Sequence, residues 1–267
     1  MHSKKSNYKR ALYPRGDRQF VTALARGLDI LRCFDKQNLE IHGKALAKLT
    51  GLPQPTVWRL CNTMVRMGYL LQVESEKLRP GIPLLRAGRA LIEGLDLPRL
   101  ARPILRQLAE QYHAETTLAV YHGELFVLES WQSDKEVVLN VSVGDRLPLD
   151  SSASGWAYLA AHSKDERMDM LKKSASAASA VAARAEIQRA LDQYKKTGFL
   201  IASGIYHRDY NVAAAAVRPS QGNAGFVVTC GGTNILEPLL RQKIGPELVR
   251  AAEKLTAEMS AIAASQR

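Results

Sequence analysis

The feature that most constrains the fold is the stretch GLPQPTVWRLCNTMVRMGYLL at residues 51–71, where two prolines stand directly before a helix-like run. Proline is tolerated in the first turn of a helix, because its missing N–H would have no helical partner there in any case. The pair therefore predicts a sharp entry into a helix over about residues 55–67. Gly51 can take a positive φ and end a preceding helix, so that Leu52 turns into the core.

The segments around this helix predict a small helical unit with a β-wing. Apolar residues of the helix share one face: Val57, Leu60, Cys61, Met64 and Val65. Helical periodicity precedes it at residues 43–49 and at 22–34, where the apolar stripe is Leu24, Leu28, Leu31 and Phe34. A strand from Tyr69, a charged turn at 74–77 and a returning strand follow. This order is that of a winged helix-turn-helix, although an ordinary three-helix unit has the same periodicity.

The charge of the chain is unevenly distributed. The net charge is +11, and residues 1–90 hold 17 Lys and Arg against 6 Asp and Glu, whereas residues 91–267 hold 20 of each. A basic segment can be a solvated face, a membrane-surface patch or a nucleic-acid footprint. A membrane patch would need a basic amphipathic helix with bulky apolar residues opposite, which is missing here. The charge therefore favours DNA binding by the first segment and a domain boundary near residue 90.

The polar face of the proline-led helix supplies the residues that we expect to contact DNA. They are Gln54, Thr56, Trp58, Arg59, Asn62 and Arg66. Trp58 has two interpretations, because its ring can pack on the wing or lie along the DNA backbone. Arg59 stands one turn into the helix, within reach of a phosphate or a guanine edge.

The remainder of the chain predicts a mixed unit of helices and strands. Helices are expected at 83–95, 98–112, 152–161, 183–198 and 238–264. Strands are expected in a hairpin that turns at His122-Gly123, and at 136–144, 199–206, 211–219 and 225–232 with a turn at 219–224 between the last two. The low-complexity segment 174–185 is interpreted as an exposed loop or a weak helix.

Several classes of protein are disfavoured by what the sequence lacks. Its three cysteines, Cys33, Cys61 and Cys230, are far apart and fit neither disulfides nor a metal pair, which is typical of a reducing cytoplasm. No histidine spacing predicts a metal site, and no cofactor is expected. No apolar run is long enough for a membrane span. Nucleophile, phosphate-loop and paired-carboxylate motifs are missing, so an enzyme, such as a small hydrolase with an appended basic domain, is the weaker alternative.

The quoted segments, with ALARGLDILRCF, KLRPGIPLLRAG, VGDRLPLDSSASGWAYLAA and YKKTGFL, resemble the IclR family of bacterial transcriptional regulators over about residues 20–262. The resemblance implies an α+β protein with a winged helix-turn-helix, a linker helix and a GAF-like effector-binding domain, whose antiparallel sheet is flanked by helices. The corresponding ranges are a basic arm at 1–19, the DNA-binding domain at 20–82, the linker at 83–97 and the effector domain at 98–267. The resemblance also implies binding of double-stranded DNA at palindromic operators as a homodimer or a dimer of dimers.

The family resemblance implies a pocket for a small organic acid, and an aromatic carboxylate with control of a catabolic gene cluster is our expectation. The implied effector-binding residues are Ser152, Ala153, Ser154, Asn211, Val228 and Cys230. We add His207 and Arg208, because the run HRDYN at 207–211 replaces the Gly-centred run that is usual in the family and indicates a ligand other than the simplest keto acids. Helix-start N–H groups at 152–154 would receive an anion, and Arg208 would clamp a second group if it turned inward. Each of these residues also has a purely structural interpretation. The serines can be helix caps, and Cys230 can be a buried apolar residue. His207 and Arg208 can form an exposed turn.

Apolar residues of the linker region offer a surface on which two chains could pair, or else they pack within one chain. They are Leu84, Leu91, Ile92, Leu95 and Ile104. Because one recognition helix reads only a few base pairs, two-fold pairing would double the site and make it palindromic.

Overall fold

The computed structural model describes residues 17–133, 141–173, 180–218 and 225–265. The chain divides into two compact units between Leu91 and Ile92, next to the change in charge. Parts of four predictions lie outside the described residues: the basic arm up to residue 16, the strand at 136–144 up to residue 140, the low-complexity segment up to residue 179, and the turn at 219–224.

The first unit is a helix-turn-helix with a three-stranded wing. Its helices are α1 (Thr22–Leu31), α2 (Gly43–Thr50) and α3 (Gln54–Arg66). Its strands are β1 (Ile41–His42), β2 (Leu70–Gln72) and β3 (Lys77–Pro80), which form an antiparallel sheet in the order β1-β3-β2. The predicted turn is confirmed, because Gly51 ends α2 with a φ of 65° and Leu52 is buried.

The apolar stripe predicted for residues 22–34 is confirmed only in its second half, where Leu31 and Phe34 pack against the core of the first unit. Leu24 and Leu28 are exposed, by 62% and 52%, whereas Ile30 and Cys33 are buried against α2 and α3. α1 carries apolar residues on two faces, and only one face of a helix can meet a single neighbouring layer. The pattern of α1 alone does not show which face that is.

Two helices follow the wing and differ in burial. They are α4 (Ile82–Glu93), which has no buried residue, and α5 (Asp96–Tyr112), which buries an apolar stripe that includes Leu105. Leu91 of α4 is 61% exposed. Gly81 precedes α4 at a close approach of the backbone, since a Cβ there would lie 1.9 Å from the carbonyl oxygen of Gly68.

The second unit is built on a six-stranded antiparallel sheet in the order β6-β5-β4-β9-β8-β7. The strands are β4 (Glu115–Tyr121), β5 (Leu125–Gln132), β6 (Arg146–Leu147), β7 (Leu200–Ser203), β8 (Asn211–Val217) and β9 (Phe226–Gly232). The helices are α6 (Ala153–Ala160), α7 (Lys164–Lys173), α8 (Ala180–Thr197), α9 (Glu237–Leu239) and α10 (Gly245–Ser265), and a π turn at Leu240–Ile244 joins the last two. The predicted α+β fold with helices flanking an antiparallel sheet is confirmed.

Each face of this sheet has its own core. One face packs against α5 and α10 through residues such as Leu105, Leu118 and Leu248. The opposite face packs against α6 and α8 through residues such as Trp156 and Val212. Because successive residues of a strand point to opposite faces, each strand residue belongs to one core only.

One strand of the second unit was predicted wrongly where it is described, and one helix was not predicted. Residues 141–144 are not a strand, and the short β6 pairs with β5 instead. The helix α7 was not predicted, although its start carries a capping box. The Ser163 N–H donates to Glu166 Oε2 (2.9 Å), and the Glu166 N–H donates to Ser163 Oγ (3.4 Å).

Candidate DNA interface and effector site

The proline-led helix α3 presents a polar face to solvent. Pro53 caps it and Pro55 lies in its first turn, while Val57 and Cys61 fix its inner face in the core. Of the residues predicted to contact DNA, four are exposed and two are half-buried. Gln54, Trp58, Arg59 and Arg66 are exposed, and Thr56 and Asn62 are half-buried.

Trp58 stands at the leading end of this face. Its side chain is 68% exposed, and with Gln54, Pro55 and Arg59 it lines a shallow depression. An indole that is so exposed is not packed on the wing, which leaves the alternative that it meets a partner outside the chain.

The wing is acidic at its tip and basic on its returning strand. Glu74 and Glu76 occupy the tip, whereas Lys77 lies 3.4 Å from Glu40 and Arg79 is exposed. The acidic tip disfavours contact between that tip and a phosphate backbone, so Arg79 is the basic wing residue that remains available to DNA.

The start of α6 is held by a serine cap. Ser152 is fully buried, and its hydroxyl accepts from the Gly155 N–H (2.9 Å) and donates to the Pro148 carbonyl (2.5 Å). Gly155 permits a close approach of the loop, because a Cβ there would lie 2.2 Å from the Leu149 carbonyl oxygen. Ser152 therefore acts as a helix cap here, and it shapes the site rather than offering a free hydroxyl.

The first N–H group of helix α6 donates its hydrogen bond to a tyrosine hydroxyl. The Ala153 N–H donates to Tyr206 Oη at 3.2 Å, and burial raises the pKa of Tyr206 to about 12, so its phenol is neutral near pH 7. A helix N-terminus carries a partial positive charge that favours an oxygen acceptor. The position at which an anion would bind is therefore filled by an oxygen of the protein itself.

A second tyrosine links this position to a buried carboxylate on the sheet. The Tyr206 and Tyr210 rings meet edge to face, with centroids 5.9 Å apart, and Tyr210 Oη donates to Glu115 Oε2 at 3.4 Å. Burial, and then the charge of Glu115, raise the pKa of Tyr210. Beside them the Thr117 and Thr229 hydroxyls share a hydrogen bond of 2.7 Å. Polar groups on strands β4 and β9 thus face the start of α6 in an otherwise apolar core.

The predicted residues Asn211, Val228 and Cys230 do not join this cluster. Val228 and Cys230 share a face, as predicted, but it is the face packed against α5 and α10. The Asn211 amide donates to the Ile235 carbonyl (2.8 Å) and is thereby turned to the same side. Cys230 is fully buried, and burial raises the pKa of its thiol, so it behaves as a small apolar residue. Their placement beside Ser154 is wrong because strand alternation assigns them to the other core.

The loop between β7 and β8 turns its charged tip outward. His207 and Arg208 are both exposed, and the loop is closed by hydrogen bonds between the Gly204 N–H and the Tyr210 carbonyl and between the Tyr210 N–H and the His207 carbonyl, both 2.9 Å. The clamp predicted for Arg208 is therefore not formed, and the exposed-turn alternative is the observed one. The loop contributes Tyr206 and Tyr210 instead.

Five residues of the cluster do not follow from the sequence: Glu115, Thr117, Tyr206, Tyr210 and Thr229. A signal existed for the first two, because ETT at 115–117 is a polar run that opens an otherwise apolar strand. Such a run is unusual in a buried strand unless its side chains bind one another or a ligand. No comparable signal marks Tyr206, since a tyrosine in a loop is common.

A winged helix-turn-helix followed by a separate domain with a buried polar cluster defines the class of two-domain transcriptional regulators. Residues 23–74 match the IclR helix-turn-helix domain, and residues 89–257 match the bacterial transcriptional regulator IclR C-terminal domain. The chain belongs to the IclR family of bacterial transcriptional regulators. It is a DNA-binding regulator of transcription and not an enzyme, and regulators of this family bind DNA and small-molecule effectors.

Individual relatives agree with this assignment. The HTH-type transcriptional regulator TsaQ1/TsaQ2 of Comamonas testosteroni is 30% identical over 249 residues, which cover 90% of this chain and 89% of that protein. The crystal structure of an IclR family transcriptional regulator from Brucella abortus superposes with a TM-score of 0.83 at 32% identity, covering 95% of this chain and 97% of the other. An IclR homolog from Microbacterium hydrocarbonoxydans, complexed with 4-hydroxybenzoate, shares the fold, with a TM-score of 0.69 at 22% identity and coverage of 90% and 99%. Among the described residues, no helix of this chain is long and apolar enough to span a membrane.

Proposed function

We propose that this regulator is ligand-responsive, that it reads a palindromic operator and that its effector is a small organic acid, with an aromatic carboxylate the favoured class. It would control a catabolic gene cluster. In this proposal residues 20–82 bind DNA, 83–97 link the units and 98–267 bind the effector. The observation that carries the proposal is the half-buried hydrogen bond from the Ala153 N–H to Tyr206 Oη, because a helix start that holds an oxygen of the protein can hold an oxygen of a ligand.

The chemistry around that bond supports an aromatic acid. The carboxylate would replace the Tyr206 hydroxyl on the Ala153 N–H, and the ring would take the place of the displaced phenol beside Tyr210. Glu115 and the Thr117–Thr229 pair offer acceptors and hydroxyl groups to a polar substituent of the ring. The 4-hydroxybenzoate held by the M. hydrocarbonoxydans protein has this composition, which makes it a reasonable first probe.

Sequence-specific binding would use the exposed face of α3. Arg59, with Gln54 beside it, stands at the leading end of the helix, and Arg66 stands near its end. A helix placed in the major groove by such a motif reads bases with its first turns, while later basic residues contact phosphates.

Pairing of two chains would use α4. This helix buries none of its residues, and Ile82, Leu85 and Leu91 expose between 61% and 73% of their side chains. Ile82 and Leu85 lie one turn apart on the same side of the helix. Exposed apolar side chains of this kind mark an interaction surface, and a self-complementary interface gives a two-fold axis. That axis would explain a palindromic operator.

The effector site is tested by a thermal-shift screen of organic acids, followed by one backbone substitution. Ala153→Pro removes the N–H that a carboxylate would use, at the first helical position, where proline is well tolerated. We expect this variant to lose the ligand-induced rise in melting temperature, which a ligand that binds the folded state must produce.

The matched control is Arg208→Ala, on the exposed tip of the Tyr206 loop, which should keep the full response. The melting temperature of Ala153→Pro without ligand checks that the fold is intact. An Ala153→Pro variant that is folded and still responds normally would show that the acid binds elsewhere.

A further inference from the structure

A cavity of about 370 Å³ opens on the second unit between the last turns of α8 and the π turn. Its lining comprises Arg189, Asp192, Gln193, Lys196, Thr197 and Arg241. None of these residues belongs to the polar cluster at the start of α6. The volume is within the range of small-molecule sites.

The lining is strongly basic in a domain that has no net charge. It contains three cations, Arg189, Lys196 and Arg241, against the single acid Asp192, whereas residues 91–267 hold 20 basic and 20 acidic residues. Asp192 already accepts from Gln188 Nε2 (3.0 Å), and Arg241 pairs with Glu237 in the preceding turn. Within the described part of the chain Lys196 has no ion-pair partner. The cavity therefore concentrates positive charge that the protein does not fully neutralise.

A buried donor without a partner lies in the same lining. Gln193 Oε1 accepts from the Ile201 N–H (3.3 Å), which fixes the orientation of the amide, and Nε2 is left buried with no hydrogen bond to any described residue. A buried polar group without a partner is rare in folded proteins and is a sign of a missing ligand or water. An oxygen acceptor bound in the cavity, which Gln193 lines, would satisfy this donor.

The backbone that carries Arg241 is also unusual. Leu240–Ile244 forms a π turn, and it is followed by Gly245, where a Cβ would lie 2.1 Å from the Phe199 ring. The turn and the glycine together set this segment close to the end of α8. Single π turns inside helices are rare and are found frequently at functional sites.

From these four observations we propose that the cavity is a second ligand site, separate from the effector site, for a small anion with several charged oxygens, of the phosphate-monoester class. Two guanidinium groups and an ammonium group provide charge-assisted hydrogen bonds of the kind that hold a phosphoryl group. The cavity is concave and Asp192 is part of its wall, which favours a small anion over the extended backbone of a nucleic acid.

The proposal is tested with inorganic phosphate and pyrophosphate, titrated calorimetrically into the full chain without DNA and at constant ionic strength. We expect saturable binding, tighter for pyrophosphate. Lys196→Ala and Arg189→Ala should each weaken it about tenfold, since each removes one charge-assisted bond. Gln193→Glu keeps the oxygen that accepts from the Ile201 N–H and should abolish binding by adding a negative charge.

The matched control is Lys195→Ala, which makes the same change of charge on the next residue of α8, outside the lining, and should leave the binding constant unchanged. The proposal is overturned if binding does not saturate, or if Lys195→Ala weakens it as much as Lys196→Ala does. It is also overturned if Lys196→Ala weakens DNA binding while phosphate shows no saturable binding, because the surface would then be a nucleic-acid contact. The effector screen above is independent of either result.

Discussion

The two units of this regulator differ in net charge and in the polar groups that their cores contain. The first has a small core, in which Ile30, Leu46 and Val57 fix three short helices, and an outer surface with excess positive charge. The second has no net charge, but it has a core on each face of its sheet and a polar cluster inside one of them. Phosphate recognition needs exposed charge, whereas a buried ligand needs polar groups that a fold has already desolvated. Exposed positive charge therefore indicates DNA binding by the first unit, and buried polar groups indicate ligand binding by the second.

The largest expected effect comes from separating the units. A fragment of residues 92–267 should lose DNA affinity by about a thousandfold or more at low salt, because the phosphate contacts belong to the basic unit. Fluorescence anisotropy with a duplex, repeated at several salt concentrations, measures this. Circular dichroism of the fragment confirms that it is folded. Binding by the fragment with the affinity and salt slope of the intact chain would show that the neutral unit contacts DNA.

The next prediction compares the effect of a glycine-to-alanine substitution on the free energy of unfolding in each unit. Gly155→Ala should lower the free energy of unfolding by about 1–3 kcal/mol, since its Cβ would meet the Leu149 carbonyl oxygen at 2.2 Å. Gly27→Ala in α1 meets no atom within 4 Å and should raise stability by about 0.5–1 kcal/mol, because alanine favours helix more than glycine does. Urea unfolding of both variants provides the measurement. A neutral Gly155→Ala variant would mean that the loop before α6 is not held against the helix.

Loss of a positive charge should lower operator affinity when that charge lies on helix α3, and should leave it unchanged when the charge lies on the second unit. Arg59→Ala should cost about 1–3 kcal/mol of operator affinity if Arg59 reads a base, with specificity relaxed at one position. Lys254→Ala, an exposed cation on α10, is the control and should have no such effect. Equal losses on specific and nonspecific duplexes would assign Arg59 to a phosphate. If Arg59→Ala bound both duplexes as tightly as the original protein, α3 would not lie in the DNA groove.

The smallest expected effect concerns the tyrosine that fills the effector position. Tyr206→Phe frees the Ala153 N–H in the unliganded protein, so an acid no longer competes with the phenol and should bind about two- to tenfold tighter. Calorimetry with the best acid from the screen measures the change. Weaker binding would instead make the Tyr206 hydroxyl a direct contact of the ligand. Tyr210→Phe tests the neighbouring bond to Glu115 on its own.

The elements of the fold were predictable where local chemistry decides them. The proline-led start of α3, the turn at Gly51 and the hairpin at His122-Gly123 follow from backbone preferences that neighbouring residues alone determine. The positive φ of Gly123 (74°) is of this kind.

The candidate site was less predictable, because it depends on which face each strand turns to which helix. A shift of one residue along a strand exchanges the two faces, so Asn211, Val228 and Cys230 were placed in the wrong core while Val212 and Thr229 hold the other. Tyr206 reaches the start of α6 only through the path of a loop, which no periodicity encodes. The use of Ser152 as a helix cap, by contrast, follows from its place at a helix start.

In the proposed function, a ligand in the neutral unit controls DNA binding by the basic unit. The most direct measurement is the operator dissociation constant with and without a saturating acid from the screen, paired with the dissociation constant of that acid with and without saturating operator. Linkage requires both ratios to be equal, and a coupling of about 5- to 150-fold is the usual range for allosteric proteins. Allosteric control of DNA binding by the acid predicts two equal ratios that differ from one. Ratios of one in both titrations, with an acid that binds at the start of α6, would contradict it.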